Sequence, residues 1–168
     1  YDATVDDVHA FDANGLVVHN CGEQPLPPYG CCDLGPVILT GFVRHPFGVG
    51  GDPVFDFDAF ERTVALQVRA LDNVLDLTYW PLPEQRAEAQ AKRRIGVGFT
   101  GLGDALILLK LRYDSEPGVA MAARIAERMR DAAYRASVEL AKEKGAFPKL
   151  DVNSYLASGT FASRLPAD

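Results

Sequence analysis

The residues most heavily loaded with chemistry stand together at His19-Asn20-Cys21-Gly22-Glu23. An asparagine side-chain amide can attack its own backbone carbonyl, and a neighbouring histidine can supply the proton transfers. The cysteine that follows is a nucleophile, with a carboxylate two residues on. The stretch therefore reads as two sites joined at the Asn20–Cys21 bond. Two further thiols, Cys31 and Cys32, follow ten residues later.

The elements that must position these residues are legible in part. Residues 1–6 and 15–19 read as short strands, with Asn14-Gly15 as a turn beside the second. From Cys21 to about Gly51 the chain is rich in Pro and Gly and is expected to be mostly loop. Pro25, Pro27 and Pro28 favour an extended backbone after Cys21, and a short element is expected around Val37–Val43. Asp58-Ala59-Phe60-Glu61 has the form of a capping box. Phe60, Val64, Val68, Leu71 and Leu75 then recur at helical spacing, so a helix runs to about Leu77. Tyr79 to Pro83 breaks it, and Glu84 to Lys92 reads as a short helix.

Ile95 to Leu111 is apolar and carries Gly96, Gly98, Gly101 and Gly103, which permit close backbone approach; from Thr100 it reads as helix. Gly96-x-Gly98-x-x-Gly101 matches the dinucleotide fingerprint, yet no strand–turn–helix unit with an acidic residue some 20 positions later supports it. Ser115 caps the longest helix, with Pro117 in its first turn. Val119, Ala122, Ala126, Met129, Ala133, Ser137 and Leu140 form its expected packing stripe, and Gly145 stops it. One or two helical turns are expected around Tyr155.

Composition narrows the classes. With 168 residues, 48% hydrophobic and 24% charged, the chain is expected to fold around a sizeable core. A formal charge of −6 leaves no electrostatic footprint for nucleic acid, and Lys92-Arg93-Arg94 is the only basic run. Ala105 to Leu109 is far too short to span a bilayer, which takes about 20 apolar residues, and nothing reads as a signal peptide. No nucleic-acid or membrane partner is expected. An odd number of cysteines, two of them adjacent, suits a reducing compartment, so the expected location is cytoplasmic.

His19-Asn20-Cys21, with Tyr1-Asp2-Ala3-Thr4-Val5 and His9-Ala10-Phe11-Asp12-Ala13-Asn14-Gly15 upstream, resembles the C-terminal end of an intein. The resemblance covers residues 1–20, with Cys21 as the residue after the splice. It implies that a thioester made at the intein's other end passes to the Cys21 thiol. Asn20 then cyclises and cuts the chain before Cys21, helped by His19 and by Asp2 and His9. The N-terminal intein half, with its own nucleophile, is missing here, so splicing would need that partner.

Downstream, Cys21-Gly22-Glu23-Gln24-Pro25-Leu26-Pro27-Pro28-Tyr29-Gly30-x-Cys32-Asp33-Leu34-Gly35 resembles the active-site finger loop of a ribonucleotide reductase large subunit. Pro81 to Gln85, the run Lys92 to Leu106, Arg112-Tyr113 and Glu139 to Pro148 continue the likeness. It is closest to the adenosylcobalamin-dependent (class II) branch, and residues 21–168 are expected to be part of the catalytic barrel domain, with 21–36 as the finger loop.

The resemblance implies ribonucleotide reduction by thiyl-radical chemistry, with adenosylcobalamin as cofactor. Cys21 would be the hydrogen-abstracting thiol, and Glu23 the general base at the 3′-hydroxyl. In an extended segment residues two apart face one side, so both can address one sugar. Cys32 matches one member of the thiol pair that supplies two reducing equivalents; its partner would lie upstream. Cys31 matches nothing in the pattern. Implied partners are a ribonucleotide substrate, nucleotide effectors, a thioredoxin-type or glutaredoxin-type reductant, the missing intein half and the upstream reductase flank.

The intact family fold is a ten-stranded α/β barrel. This chain is expected to be a fragment of it, an α+β piece that is mainly helical after a short β start, and inactive alone. Three positions depart from the pattern. His19 stands where the family has Asn, as an intein inserted before Cys21 would explain. Pro36 and Ile38 stand where a Ser and an Asn are usual. The alternatives are an iron-dependent (class I) large subunit, the C-terminal half of a split intein acting in trans, and a non-catalytic helical interaction module.

Overall fold

A computed structural model describes residues 10–13, 16–19 and 26–165, the first two stretches as backbone strands. Ala10–Ala13 (β1) and Leu16–His19 (β2) pair antiparallel, with Ala13 opposite Leu16 and Asn14-Gly15 between them. The second strand is where the apolar run places it; its partner is 10–13, and the expected strand at 1–6 lies outside the described residues.

The expected loop after Cys21 is shorter than the composition suggests. Asp33–Ile38 (β3) is a strand, paired in parallel with Ile95–Thr100 (β6) in the register Asp33↔Ile95 to Ile38↔Thr100. Gly35 and Pro36 hide it from propensity, which is low for both residues in strands. Among the described strands β3 has one neighbour, and an edge position tolerates a proline. Val43–Arg44 (β4) and Val54–Phe55 (β5) form a small antiparallel ladder.

Phe57–Leu77 (α1) crosses from β3 towards β6, as a parallel pair requires. Its cap is Asp56, whose Oδ1 accepts from the Ala59 amide at 2.9 Å, two residues before the expected capping box. The buried set Phe60, Val64, Val68, Leu71 and Leu75 is the one the spacing selects. Pro83–Lys92 (α2) ends at Arg93, which adopts the left-handed conformation. Gly101, at φ +76°, turns β6 into Leu102–Leu108 (α3).

Glu116–Lys144 (α4) is capped by the Ser115 hydroxyl on the Gly118 amide and ends at Gly145. Its buried positions are Gly118, Ile125, Ala132 and Leu140. The expected stripe is rotated: Val119, Ala126 and Ser137 are exposed. Close approach selects the face, because a β-carbon at Gly118 would stand 2.2 Å from the Arg112 carbonyl oxygen. A short helix, Val152–Tyr155 (α5), and a 3-10 turn at Ala162–Arg164 close the described chain.

α1 and α4 run in the same direction. The ion pairs Glu61–Arg128, Arg69–Glu143 and Asp72–Lys144 climb both helices together. The core lies between these helices and one face of the β3–β6 pair, with Val37, Leu39, Phe55, Phe60, Val64, Ala105 and Ile125 buried. Phe42 and Phe55 set their rings 5.3 and 5.4 Å from Phe60, edge-on. This is an α+β unit, mainly helical after a short β start, with a parallel pair covered by helices. Among the described residues the sheets are all two-stranded and none closes into a barrel. No described helix is long and apolar enough to cross a membrane.

Candidate functional site

Strand alternation divides β3 into two faces. Gly35 and Val37 are buried against the helices, whereas Leu34 and Ile38 are 57% and 62% exposed and Pro36 is exposed between them. The register places Gly96 beside Leu34 and Gly98 beside Pro36. The open face is thus an apolar ridge on β3 next to a strip of β6 that carries almost no side chains.

Cys32 stands at the head of this face. A β-carbon built on Gly96 would lie 3.5 Å from the Cys32 sulfur and 2.4 Å from Leu34 Cδ2. Gly96 is therefore the floor between the thiol and Leu34; a side chain there would have to displace the end of Leu34 and would stand in contact with the thiol. A β-carbon built on Gly98 would meet nothing within 4 Å. On the opposite face the packing is tight: a β-carbon at Gly35 would meet the Gln67 amide at 1.9 Å and Leu71 at 3.0 Å.

Cys31, by the same alternation, belongs with Asp33 on the other side. Burial pushes its thiol above the usual range; Arg94 opposes this, and Asp33 and Glu88 add to it. Burial also raises the Asp33 carboxyl, whose Oδ2 is buried without a hydrogen-bond partner. Adjacent thiols thus have different settings. Cys31 sits among charges at the helix side, and Cys32 faces the open strip.

The start of β6 is anchored. Arg93 donates from Nε to Asp72 Oδ1 at 2.8 Å, from Nη1 to Asp76 Oδ1 at 2.7 Å, and from Nη2 to the Asp72 carbonyl and Asp76 Oδ2, both at 3.0 Å. Lys144 adds a bond to Asp72 Oδ2 at 2.6 Å. One residue on, the Arg94 carbonyl accepts from the Asp33 amide at 3.2 Å.

Of the site residues expected from sequence, Cys32 alone has a described side chain. His19 ends β2, opposite Ala10, and is described as backbone only. Asp2, His9, Asn20, Cys21 and Glu23 lie outside the described residues. Pro36 and Ile38, which both depart from the family pattern, fall on the open face. Gly96-x-Gly98-x-x-Gly101 does lie in a strand–turn–helix unit, contrary to expectation. However, Gly96 and Gly98 are inside the strand, and only Gly101 makes the turn. Their role as a floor was signalled by glycines two apart, alternating with Ile95, Val97 and Phe99. The Arg93 anchor had no signal beyond a basic run.

Among the described residues no group of three or more His, Cys, Asp or Glu could hold a metal ion. A groove of about 1160 Å3 opens on the helix side, lined by Asp72, Arg93, Tyr134, Leu140, Phe147 and Tyr155. It is separated from Cys32 by the sheet.

Residues 16–165 match the family model described as the ribonucleotide reductase barrel domain. The chain is 40% identical over 139 residues to a vitamin B12-dependent ribonucleoside-diphosphate reductase of Mycobacterium tuberculosis; the match covers 83% of this chain and 19% of the relative. A protein of the same description from Thermoplasma acidophilum is 36% identical over 128 residues, covering 76% and 16%. A ribonucleoside-diphosphate reductase large chain of Encephalitozoon cuniculi is 33% identical over 146 residues, covering 87% and 17%. The chain spans about a fifth of the length of the curated relatives it matches.

Proposed function

The chain belongs to the ribonucleotide reductase barrel-domain family, and we propose that it is the finger-loop segment of an adenosylcobalamin-dependent ribonucleoside-diphosphate reductase. The observation that carries this reading is Cys32 at the head of an open strand face. That placement suits a thiol which must reach both a substrate and a second cysteine.

In this reading the Cys21 sulfur, as a thiyl radical, takes the hydrogen from C3′ of the ribose. Glu23 takes the 3′-hydroxyl proton, and the 2′-hydroxyl leaves as water. Cys32 and a cysteine upstream of this segment give up two electrons and two protons and become a disulfide. Glu23 returns its proton to the 3′ oxygen, the retained hydrogen returns to C3′, and an external dithiol of the thioredoxin or glutaredoxin type restores the pair.

Among the described residues, Leu34, Pro36 and Ile38 beside Gly98 would give a bound cobalamin an apolar surface to lie against. When bound, the cofactor supplies the radical; the chain's own contribution is the pair of thiols and the carboxylate. The direct test is turnover of a ribonucleoside diphosphate by the full-length protein. Dependence on adenosylcobalamin supports the reading, and dependence on a radical-storing subunit would assign the iron-dependent class.

We further propose that residues 1–20 are the C-terminal end of an intein, so that the reductase is made as a precursor spliced at Asn20–Cys21. The order His19-Asn20-Cys21 after the β1–β2 hairpin supports this. The family match reaches back to Leu16, so the two assignments overlap over 16–20. Expression of the whole gene separates them, since splicing yields a product lacking residues 1–20 and simple membership leaves them in place.

A further inference from the structure

We infer that Arg93 is a positioning residue for Cys32: by fixing the register of β6 it keeps a glycine, and no side chain, beneath the reactive thiol. The inference rests on the reductase reading above for its consequence, but its geometry is independent of it.

β6 reads Ile95-Gly96-Val97-Gly98-Phe99, with glycines on the open face and large side chains on the packed one. A slip of one residue would exchange the faces. Ile95 or Val97 would then stand where Gly96 stands, in a space where even a β-carbon lies 2.4 Å from Leu34 and 3.5 Å from the Cys32 sulfur. The packing around the thiol thus excludes a slip of one residue.

Arg93 is placed to hold that register. It is the last residue before Arg94, whose carbonyl makes the first bond to β3, at Asp33. Its backbone is left-handed, at φ +45°, which an arginine adopts only when its surroundings hold it there. Four hydrogen bonds to Asp72 and Asp76 tie it to α1, and α1 is itself packed on β3. Both strands are therefore referenced to the same helix. Lys144 neutralises the second charge of the Asp72–Asp76 pair and brings in the end of α4.

The test uses the full-length reduced protein with Arg93→Ala, Arg93→Lys and Gly96→Ala, and reads alkylation of Cys32 against Cys31 by mass spectrometry. Cys31 is the internal control on the other face of the same segment. Gly96→Ala is expected to slow Cys32 several-fold relative to Cys31 with the ion pairs untouched. Arg93→Ala is expected to shift the ratio the same way, and Arg93→Lys to lie between, because an ammonium cannot reproduce the forked contacts.

The double variant Gly96→Ala/Arg93→Ala should fall short of the product of the single effects, since both act on one space. Unchanged ratios, or equal changes at both cysteines, overturn the inference and leave Arg93 as a structural anchor. Product formed in a single turnover without external reductant should fall roughly ten- to a hundredfold in Arg93→Ala. If Cys32→Ser leaves that yield intact, the reductase role of Cys32 fails, while the alkylation ratio still decides the role of Arg93.

Discussion

The Cys32 sulfur lies 3.5 Å from the point where a β-carbon on Gly96 would stand. A thiol in β3's lead-in and a glycine some 60 residues later share one small space, held open by the parallel register of the two strands.

Within the full-length protein, Cys32→Ser should abolish repeated turnover with a dithiol reductant, and Cys31→Ser should leave it within about twofold. The difference follows from their opposite faces. Steady-state assays of the two variants decide it; equal losses would remove the distinction.

Gly35→Ala should lower stability by about 1–3 kcal/mol, the range for overpacking a filled site. The new methyl group would meet the Gln67 amide and Leu71. Gln67 is flexible and can retreat; Leu71 is part of the core. Thermal melting is the measurement.

Ile125→Ala should cost about 2–5 kcal/mol, because the side chain is fully buried between α4 and the core. Val119→Ala, on the exposed side of the same helix, should change stability by less than about 0.5 kcal/mol. Had the stripe expected from sequence been the buried one, Val119 would be the sensitive position.

Asp72 gives a pH dependence of known sign. Burial alone would raise its carboxyl, but hydrogen bonds from Arg93 and Lys144 outweigh this and hold it below the usual range. A group depressed in the folded state adds stability that is fully present above the unfolded value, about pH 3.9. That stability is lost as pH falls through the folded value. Asp72→Asn should therefore cost about 3 kcal/mol at neutral pH, with the gap to the parent closing in acid. Denaturant melts at neutral and acid pH measure it.

Helical periodicity carried the sequence reading furthest. Phe60 to Leu75 could be assigned because one helix face repeats regardless of context. α4 was recognised by its cap and stop, but its buried face was rotated. Alanine on several sides leaves a periodicity weak, and contact with α1 and Arg112 makes the choice. β3 has the composition of a loop, because its pairing with β6 spans a long crossover that no local window contains. The role proposed for Cys32 rests on a motif, whereas its setting depends on that pairing. Arg93 could not have been found in sequence, since its partners sit on another helix.

The long crossover also has a consequence for synthesis. Asp33 leaves the ribosome about 60 residues before its partner Ile95. At roughly 5–20 residues per second, that is a delay of several seconds. Throughout it the nascent Cys31-Cys32 pair has neither its floor nor its charged surroundings. The thiol that the finished strand face presents so selectively is, in the newborn chain, chemically indistinct from its neighbour. Oxidative damage at this pair should therefore track the rate of translation more closely than the age of the folded protein.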